Sequence, residues 1–204
     1  MVTREGTYDA MIVKEVKKVY SHLKVEDKVV LDIGGNIGAS AVLFAQSGAK
    51  RVVSVEPDAA NYALLVQNTE RFPNVEALQA AVVAGDEETI TLYLNEAGTN
   101  KAIHSTVPHK GRPTVTVQAV NWKALLEEVK PEVVKIDCEG AEYQFLLEPL
   151  PDCVKQCVLE LHLTKKDTRE VEAPRLISYF TGWECVVSPK LEGGNWTTMA
   201  SYQR

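Results

Sequence analysis

The sequence predicts an α/β fold built on a doubly wound, mostly parallel β-sheet. Short apolar runs, typical of strands buried on both faces, alternate along the chain with helical patterns. The first apolar run, Val29–Ile33, ends at a glycine-rich turn over residues 34–38, and a helical pattern starts there. Alternating strands and crossover helices favour parallel pairing, and ligands bind such sheets beyond the carboxyl ends of the strands.

The composition is that of one ordinary globular domain over residues 1–204. The chain is 45% hydrophobic and 25% charged, with a net charge of −6, so it lacks the basic character of a protein that binds duplex nucleic acid. It shows no apolar signal core and no apolar run near the ~18 residues of a membrane span, so we expect a cytoplasmic protein with no membrane partner. The four cysteines form no CxxC pair and are expected to be reduced and mostly buried.

The amino-terminal third alternates helix and strand. Residues 1–24 are a predicted helical lead-in, with Asp9 as the cap of a helix that runs to about residue 22. Further helices are predicted over 39–46 and 57–70, the second with Pro57 in its first turn. The predicted strands are 29–33, 51–56 and 75–83.

The central residues predict an extra hairpin around 89–120. Its two strands, 90–94 and 114–120, flank a polar loop at 95–113. Loops of this length in compact domains are usually lids, binding loops or disordered segments, and we expect this one to select the substrate.

The remaining residues predict two more parallel strands and a closing hairpin. Asn121 is expected to cap a helix to about residue 129. Strands are predicted over 132–138 and 155–163, with short helices after each. Two weakly alternating segments, 183–187 and 196–202, are predicted to form a carboxyl-terminal antiparallel hairpin around a turn at 192–195.

The glycine turn indicates the class of ligand. Its sequence, Asp-Ile-Gly-Gly-Asn-Ile-Gly, fits neither the dinucleotide fingerprint nor the phosphate loop. Asp32, directly before the glycines, would repel a pyrophosphate and attract an ammonium group. Glu56 lies 24 residues later, at the end of the next strand, where a carboxylate accepts hydrogen bonds from both ribose hydroxyls. One carboxylate for an ammonium and one for a ribose describe S-adenosylmethionine.

The sequence resembles the class I S-adenosylmethionine-dependent methyltransferases, and more narrowly the FkbM-type family. The wider likeness rests on the glycine turn and on Val55-Glu56-Pro57. The narrower likeness rests on residues 135–142, Lys-Ile-Asp-Cys-Glu-Gly-Ala-Glu, and on Glu160-Leu161-His162. Asn36 replaces the usual middle glycine of the class I turn, as it does in FkbM-type proteins.

The resemblance implies a seven-stranded sheet and methyl transfer from S-adenosylmethionine, usually to a hydroxyl of a small molecule or sugar. Asp137 and Glu139 would face the transferring methyl group. Combined with the small residues at the end of the third strand, the resemblance gives a predicted cofactor site of Asp32, Gly34, Gly35, Asn36, Gly38, Glu56, Pro57 and Ala81.

A hydroxyl acceptor requires a general base within hydrogen-bond reach. We predict His162 or Asp137 as that base, with Glu160 orienting His162. In the alternative, Asp137, Glu139 and His162 hold Mg or Mn, which would acidify the hydroxyl directly. Two neighbours are given structural roles. Lys135 is expected to pair with an acid near the strand end, and Glu142 with a lysine or with the backbone of Glu139.

Two other function classes compete with this interpretation. A non-catalytic module that binds S-adenosylmethionine would retain the glycine turn, but the intact group Asp137, Glu139 and His162 argues against it. A nucleic-acid methyltransferase finds support in the basic loop 100–112. The acidic composition and the lack of an Asn/Asp-Pro-Pro-aromatic motif after the fourth strand argue against that function. The glycine spacing disfavours a nicotinamide dehydrogenase.

Overall fold

The structure is a computed structural model that describes residues 1–95, 104–163, 167–189, 191 and 197–204. The predicted loop 95–113 is therefore described at residue 95 and from residue 104, and the predicted turn at 192–195 lies outside the described residues. The α-helices are α1 Asp9–Tyr20, α2 Ala39–Gln46, α3 Ala59–Thr69, α4 Trp122–Val129, α5 Glu142–Phe145 and α6 Ala173–Ser178, the last preceded by a π-helical segment, Thr168–Glu172. The strands are β1 Val29–Ile33, β2 Arg51–Val55, β3 Val75–Leu78, β4 Ala81–Val83, β5 Thr89–Tyr93, β6 Thr114–Asn121, β7 Val133–Ile136, β8 Gln156–His162, β9 Glu184–Val187 and β10 Thr197–Gln203.

Seven strands form one sheet in the order β3-β2-β1-β7-β8-β10-β9. β10 runs antiparallel to both of its neighbours, and the pairs among β3, β2, β1, β7 and β8 are parallel. This confirms the predicted mostly parallel, seven-stranded sheet with antiparallel carboxyl-terminal strands. The chain order reverses between β1 and β7, which places a ligand crevice beyond the carboxyl ends of these two strands.

The stretch 75–83 forms two strands rather than the single strand predicted. β3 extends the large sheet beside β2, whereas β4 joins a second sheet of order β4-β6-β5. The chain turns between them at Gln79 and Ala80, and no glycine or proline marks this change in the sequence. β5 and β6 pair antiparallel, from Thr89 opposite Gln118 to Tyr93 opposite Thr114, which confirms the extra hairpin.

The predicted helix caps were partly correct. Asn121 caps α4, and Asp58 caps α3, each accepting a hydrogen bond from a main-chain N–H three residues on, at 3.0 and 2.8 Å. Pro57 therefore precedes the cap of α3 instead of lying in its first turn. The prediction for Asp9 was wrong, because its buried carboxylate binds the Arg4 guanidinium at 2.9 and 3.0 Å and caps no helix.

The hydrophobic core lies on both faces of the large sheet. Alternate residues of β1, β2, β7 and β8 enter different clusters: Leu31 and Ile33 pack on one face of β1, and Val30 on the other. Residues of α4, α5 and α6 contribute to the first cluster, and residues of α1 and α2 to the second. The four cysteines are free, but Cys157 alone is fully buried, so the expectation of mostly buried thiols was too broad. Among the described residues, no helix has the length and apolar character needed to span a membrane.

Candidate active site

A cavity of about 310 Å³ opens beyond the carboxyl ends of β1, β2 and β7, at the reversal of strand order. It takes in most of the predicted cofactor residues and three of the four predicted catalytic residues. The predicted residues that line it are Gly34, Gly35, Asn36, Glu56, Pro57, Ala81, Asp137, Glu139 and Glu160. Asp32, Gly38 and His162 are not among the described lining residues, and each has a different role.

The glycine turn brings bare backbone to the cavity. Gly34 has a φ of +79°, and a Cβ there would overlap the carbonyl oxygen of Asp137, so any larger residue is excluded on both counts. The N–H groups of Gly34 and Gly35 both donate to the Val55 carbonyl, at 3.0 and 2.9 Å. Gly38, with a φ of +85°, instead lets the start of α2 pack against Leu65. The turn is therefore fixed to β2, and Gly38 contributes to its packing.

The Asp32 carboxylate, which the sequence analysis expects to attract an ammonium group, is paired within the chain. The carboxylate is fully buried, and one oxygen accepts hydrogen bonds from the Ser40 and Ser54 hydroxyls at 2.7 and 2.8 Å. The other oxygen lies 3.1 Å from the Lys135 ammonium. The ammonium partner of Asp32 is thus a lysine of the same chain, which confirms the ion pair predicted for Lys135.

Lys135 connects three parts of the site. Its buried ammonium donates to the main-chain carbonyls of Gly34 at 2.6 Å and Ile33 at 3.2 Å, and it lies 3.7 Å from Asp137. Burial by itself lowers the pKa of Lys135, but the charges of Asp32 and Asp137 outweigh it and raise the pKa, so the lysine remains an ammonium. It holds the glycine turn against β7 and offsets the two neighbouring carboxylates.

Glu56 is a buried carboxyl group at the other end of the turn. Its oxygens accept hydrogen bonds from the main-chain N–H groups of Asn36 at 2.9 Å and Asp58 at 3.0 Å. Burial raises the pKa of Glu56 to about 7, despite these hydrogen bonds. A ligand that donates further hydrogen bonds would favour the charged form of Glu56, as a ribose diol does.

Asp137 and Glu160 form an acidic pair in the part of the cavity beside β7 and β8. Asp137 accepts a hydrogen bond from the Tyr20 hydroxyl at 3.3 Å, and Glu160 shares a hydrogen bond with Asp137. Burial and the Asp137 charge raise the pKa of Glu160 to about 8, so Glu160 carries a proton at neutral pH. Tyr20 was missed as a site residue, because the sequence placed it only on the inner face of a helix.

His162 lies behind this acidic pair, between two other carboxylates. Its Nε2 is 3.2 Å from Glu139, and its Nδ1 is 3.1 Å from Glu142, which also accepts the His162 main-chain N–H at 2.9 Å. Burial lowers the pKa of His162, but Glu139 and Glu142 outweigh it and raise the pKa well above its ordinary value. A protonated imidazole with both nitrogens engaged cannot take a proton from an acceptor, so Asp137 is the better candidate of the two predicted bases.

Glu142, and not Glu160, orients the imidazole. It is fully buried and also accepts a hydrogen bond from the Gly140 main-chain N–H at 2.9 Å. It therefore has the structural role predicted for it, but neither of the predicted partners. The prediction that Glu160 orients His162 was wrong, because Glu160 lies in the cavity beside Asp137.

The turn after β7 carries an unusual backbone. Glu139 has a φ of +56° and Gly140 a φ of +96°. The Ser105 hydroxyl holds this turn by donating to the Glu139 carbonyl at 2.7 Å, and it accepts the Val107 N–H at 3.1 Å. His104 and Thr106, on either side of Ser105, line the cavity. The described end of the predicted substrate loop thus borders the site.

Asp137, Glu139 and His162 also form a candidate metal cluster, as the sequence alternative proposed. One ligand atom from each lies within 4.8 Å of the others. A metal-binding histidine usually donates its second ring N–H to a carboxylate, and Glu142 accepts from Nδ1 of His162 in this way. Two carboxylates and one imidazole therefore fit a divalent cation such as Mn²⁺.

The family model described as "Methyltransferase FkbM domain" matches residues 32–186, from Asp32 into β9. The chain belongs to the FkbM methyltransferase family. The match includes the glycine turn, the residues 135–142 and the Glu160-Leu161-His162 segment, which confirms the resemblance that these motifs indicated. It leaves out α1 and β10, although both contribute residues to the cavity.

Two solved structures illustrate the fold of this family member. The methyltransferase FkbM from Methylobacillus flagellatus KT is 14% identical, with a TM-score of 0.55 over 92% of this chain and 47% of that one. The chain thus spans about half the length of that relative. M. jannaschii TYW2 in complex with AdoMet is 17% identical, with a TM-score of 0.50 over 100% of this chain and 78% of that one. A comparison with curated proteins finds no match.

Proposed function

We propose that this protein transfers a methyl group from S-adenosylmethionine to a hydroxyl oxygen of a small molecule. One observation carries the proposal: a single cavity joins a ribose-type carboxyl, Glu56, to a carboxylate, Asp137, across the glycine backbone of residues 34–36. Family membership supports methyl transfer. The AdoMet bound in the structurally similar TYW2 supports this choice of cofactor.

The cofactor half of the site consists of the turn, Glu56 and the small residues of β4. Glu56 would accept the ribose hydroxyls, and Asn36 beside it would lie along the same sugar. Ala81, which lines the cavity, leaves space for a flat base. Asp32 and Gly38 would act indirectly, by holding Lys135 and by starting α2.

In the mechanism, the residues of the chain position the acceptor and remove its proton. The cofactor, when bound, supplies a methyl group on a positively charged sulfur, and that charge is lost on transfer. Asp137 lines the cavity and accepts the proton of the acceptor hydroxyl. The Tyr20 hydroxyl and Lys135 hold Asp137 in place at 3.3 and 3.7 Å. Positioning of this kind accounts for much of the rate in a displacement reaction.

A divalent cation is the second route to the same reaction. Asp137, Glu139 and His162 would hold it, and it would acidify the acceptor hydroxyl as a Lewis acid. Titration of the protein with Mn²⁺, followed by electron paramagnetic resonance of the free ion, tests this route without an activity assay. His162→Gln should abolish binding if the cation site exists, and equal binding by the variant would exclude this cluster as the site.

The charge of the cavity favours a small molecule over a nucleic acid. The carboxylates of Glu15 and Asp137 line it, whereas Glu160 is protonated, Glu139 faces His162, and the lining ammonium, Lys135, is already paired with Asp32. Phosphate groups would be repelled from such a surface, and the net charge of −6 adds no long-range attraction. Filter binding to RNA and DNA at low salt tests this choice, and tight binding would reverse it.

The main test separates cofactor binding from chemistry. Calorimetric titration should show that S-adenosylmethionine and S-adenosylhomocysteine bind and that NAD does not. Asp137→Asn should keep this binding and lose roughly 10²–10⁴-fold in turnover with a hydroxyl acceptor found by screening. Asp152→Asn is the matched control, because its side chain is fully exposed. If neither sulfur nucleoside binds, or if Asp137→Asn turns over normally, the proposal fails.

A further inference from the structure

We infer that α1 and β10 form the acceptor-binding wall of the cavity, and that this wall selects an apolar hydroxyl compound without an anionic group. The inference rests on the proposed function, since it names the substrate class of that site. The acceptor wall is defined here as Ile12, Val16 and Val19 of α1 with Met199 of β10. All four side chains line the cavity and are half-buried.

The spacing along α1 places its three members on one face. Ile12, Val16 and Val19 follow each other at intervals of four and three residues, so they form a continuous stripe on the helix. Val16, Val19 and Met199 also pack against the same core cluster, which brings β10 to α1. Because these side chains contact the core and also line open space, they present an apolar surface to a bound molecule.

The acceptor wall is fixed relative to the catalytic carboxylate. Tyr20, at the end of α1, is buried and donates to Asp137, and its ring centroid lies 6.2 Å from that of Phe44 in α2. At the other end of α1, Arg4 binds both Asp9 and the Asn61 side chain of α3, at distances of 2.8 to 3.0 Å. The helix is therefore held at both ends, so its apolar stripe keeps one position beside the proposed base.

The position in the sheet assigns this part of the cavity to the acceptor. Met199 lies opposite Glu160 in the pairing of β10 with β8, on the far side of β7 from the glycine turn. Glu56 and the proposed ribose site belong to the β1–β2 side of the strand reversal. A molecule that contacts the acceptor wall would thus approach Asp137 from the side opposite the cofactor, as an in-line displacement requires.

The charged groups around the acceptor wall exclude an anion. Glu15, on the same helix, lines the cavity together with the Asp137 carboxylate, whereas Glu160 is protonated and Glu139 faces His162. Lys135 is the nearest ammonium, and Asp32 and the backbone carbonyls occupy it. A carboxylate or phosphate on the acceptor would find like charges and no available cation among the described residues at this end. A neutral or cationic compound would not meet this repulsion.

The test uses three small alcohols that share a benzyl alcohol group and carry a neutral, cationic or anionic substituent at the para position. They are benzyl alcohol, 4-(aminomethyl)benzyl alcohol and 4-(hydroxymethyl)benzoate, and their binding is measured by saturation-transfer NMR with and without saturating S-adenosylhomocysteine. We expect the neutral and cationic probes to bind at least tenfold more tightly than the carboxylate. Val16→Trp should fill the space beside the acceptor wall and weaken the binding of the neutral and cationic probes by at least tenfold. Lys17→Trp, at an exposed position of the same helix, should leave the affinity for these two probes unchanged.

A second variant keeps the test decisive if Val16→Trp does not fold. Glu15→Lys, at an exposed position, should reduce the discrimination against the carboxylate probe at least fivefold. The inference would be overturned if all three probes bound equally or if benzyl alcohol did not bind the wild type. It would also be overturned if Glu15→Lys discriminated against the carboxylate probe as strongly as the wild type does. Failure of the proposed function has a different signature, because S-adenosylhomocysteine would then not bind although the probes still could.

Discussion

Glu56 links the stability of the unliganded protein to its affinity for a cofactor, and Glu56→Gln should remove a pH-dependent loss of stability while it lowers that affinity. The wild-type carboxyl is 6% exposed, and burial raises its pKa from 4.5 to about 7. The folded state therefore retains a proton that the unfolded chain has already lost. Since the folded state binds more protons than the unfolded state between these pH values, wild-type stability falls as the pH rises from 4.5 to about 7.

The size of this effect follows from the two pKa values. A difference of one pKa unit corresponds to about 1.4 kcal/mol, so the full loss of unfolding free energy is about 3 kcal/mol, of which about 2.5 kcal/mol falls between pH 5 and pH 8. Glutamine does not titrate, so the unfolding free energy of Glu56→Gln should not show this pH-dependent fall. Its amide will fit the two main-chain donors less well, but that penalty does not depend on pH and cancels when two pH values are compared.

The measurement is urea unfolding of the wild type and the variant at pH 5 and pH 8, without cofactor. The variant should gain about 2.5 kcal/mol relative to the wild type between the two pH values. Calorimetry at pH 8 should show its affinity for S-adenosylmethionine reduced by roughly 10- to 150-fold, the value of one hydrogen bond to a charged group. Glu127→Gln, at an exposed site, is the control. If the Glu56→Gln and wild-type stabilities change in parallel with pH, the burial argument for Glu56 is refuted.

Two further predictions concern packing around the site. Gly34→Ala should destabilise the fold by several kcal/mol in urea unfolding, because its Cβ would overlap the Asp137 carbonyl. Gly111→Ala, with a similar φ of +81° and open space around it, should cost about 1 kcal/mol, and equal losses would contradict the steric argument. His162→Ala should lower the unfolding free energy at neutral pH by about 3–5 kcal/mol, since it leaves Glu142 buried without its charged partner. Because the pKa of His162 is raised, the stabilisation that its charge provides is complete below pH 6.5 and is lost at alkaline pH. If the unfolding free energies of the wild type and the variant instead change equally with pH, His162 is not an imidazolium.

The sequence predicted the parts of the fold that depend on local pattern. Apolar runs and the turn glycines located β1, β2, β7 and β8, and Asn121 marked the start of α4. The break within 75–83 was missed, because two short strands in different sheets have the same apolar character as one longer strand. Asp9 is of a residue type that often caps helices, but its carboxylate binds the Arg4 guanidinium instead, and residue type alone does not predict that pairing.

The site was predicted as a set of positions but not as a set of partners. The carboxyl ends of parallel strands meet at one edge, so Glu56, Asp137 and Glu160 were expected together. Which carboxylate faces which group depends on small displacements that spacing does not encode. Asp32 took up Lys135 from the adjacent strand, and His162 turned toward Glu142. Tyr20 reached the site through helix packing, for which a single sequence gives little signal.

The contacts of Lys135 affect the rate at which a ligand binds. In many nucleotide sites the glycine-rich segment becomes ordered on binding, and this ordering reduces affinity. Here the segment is clamped from both sides, by the ammonium on the carbonyls of Ile33 and Gly34 and by the Val55 carbonyl on two of its N–H groups. Its amide protons should exchange with solvent as slowly as those of the neighbouring strands. Association at this end of the cavity would then be limited by diffusion and desolvation, and not by a rearrangement of the turn.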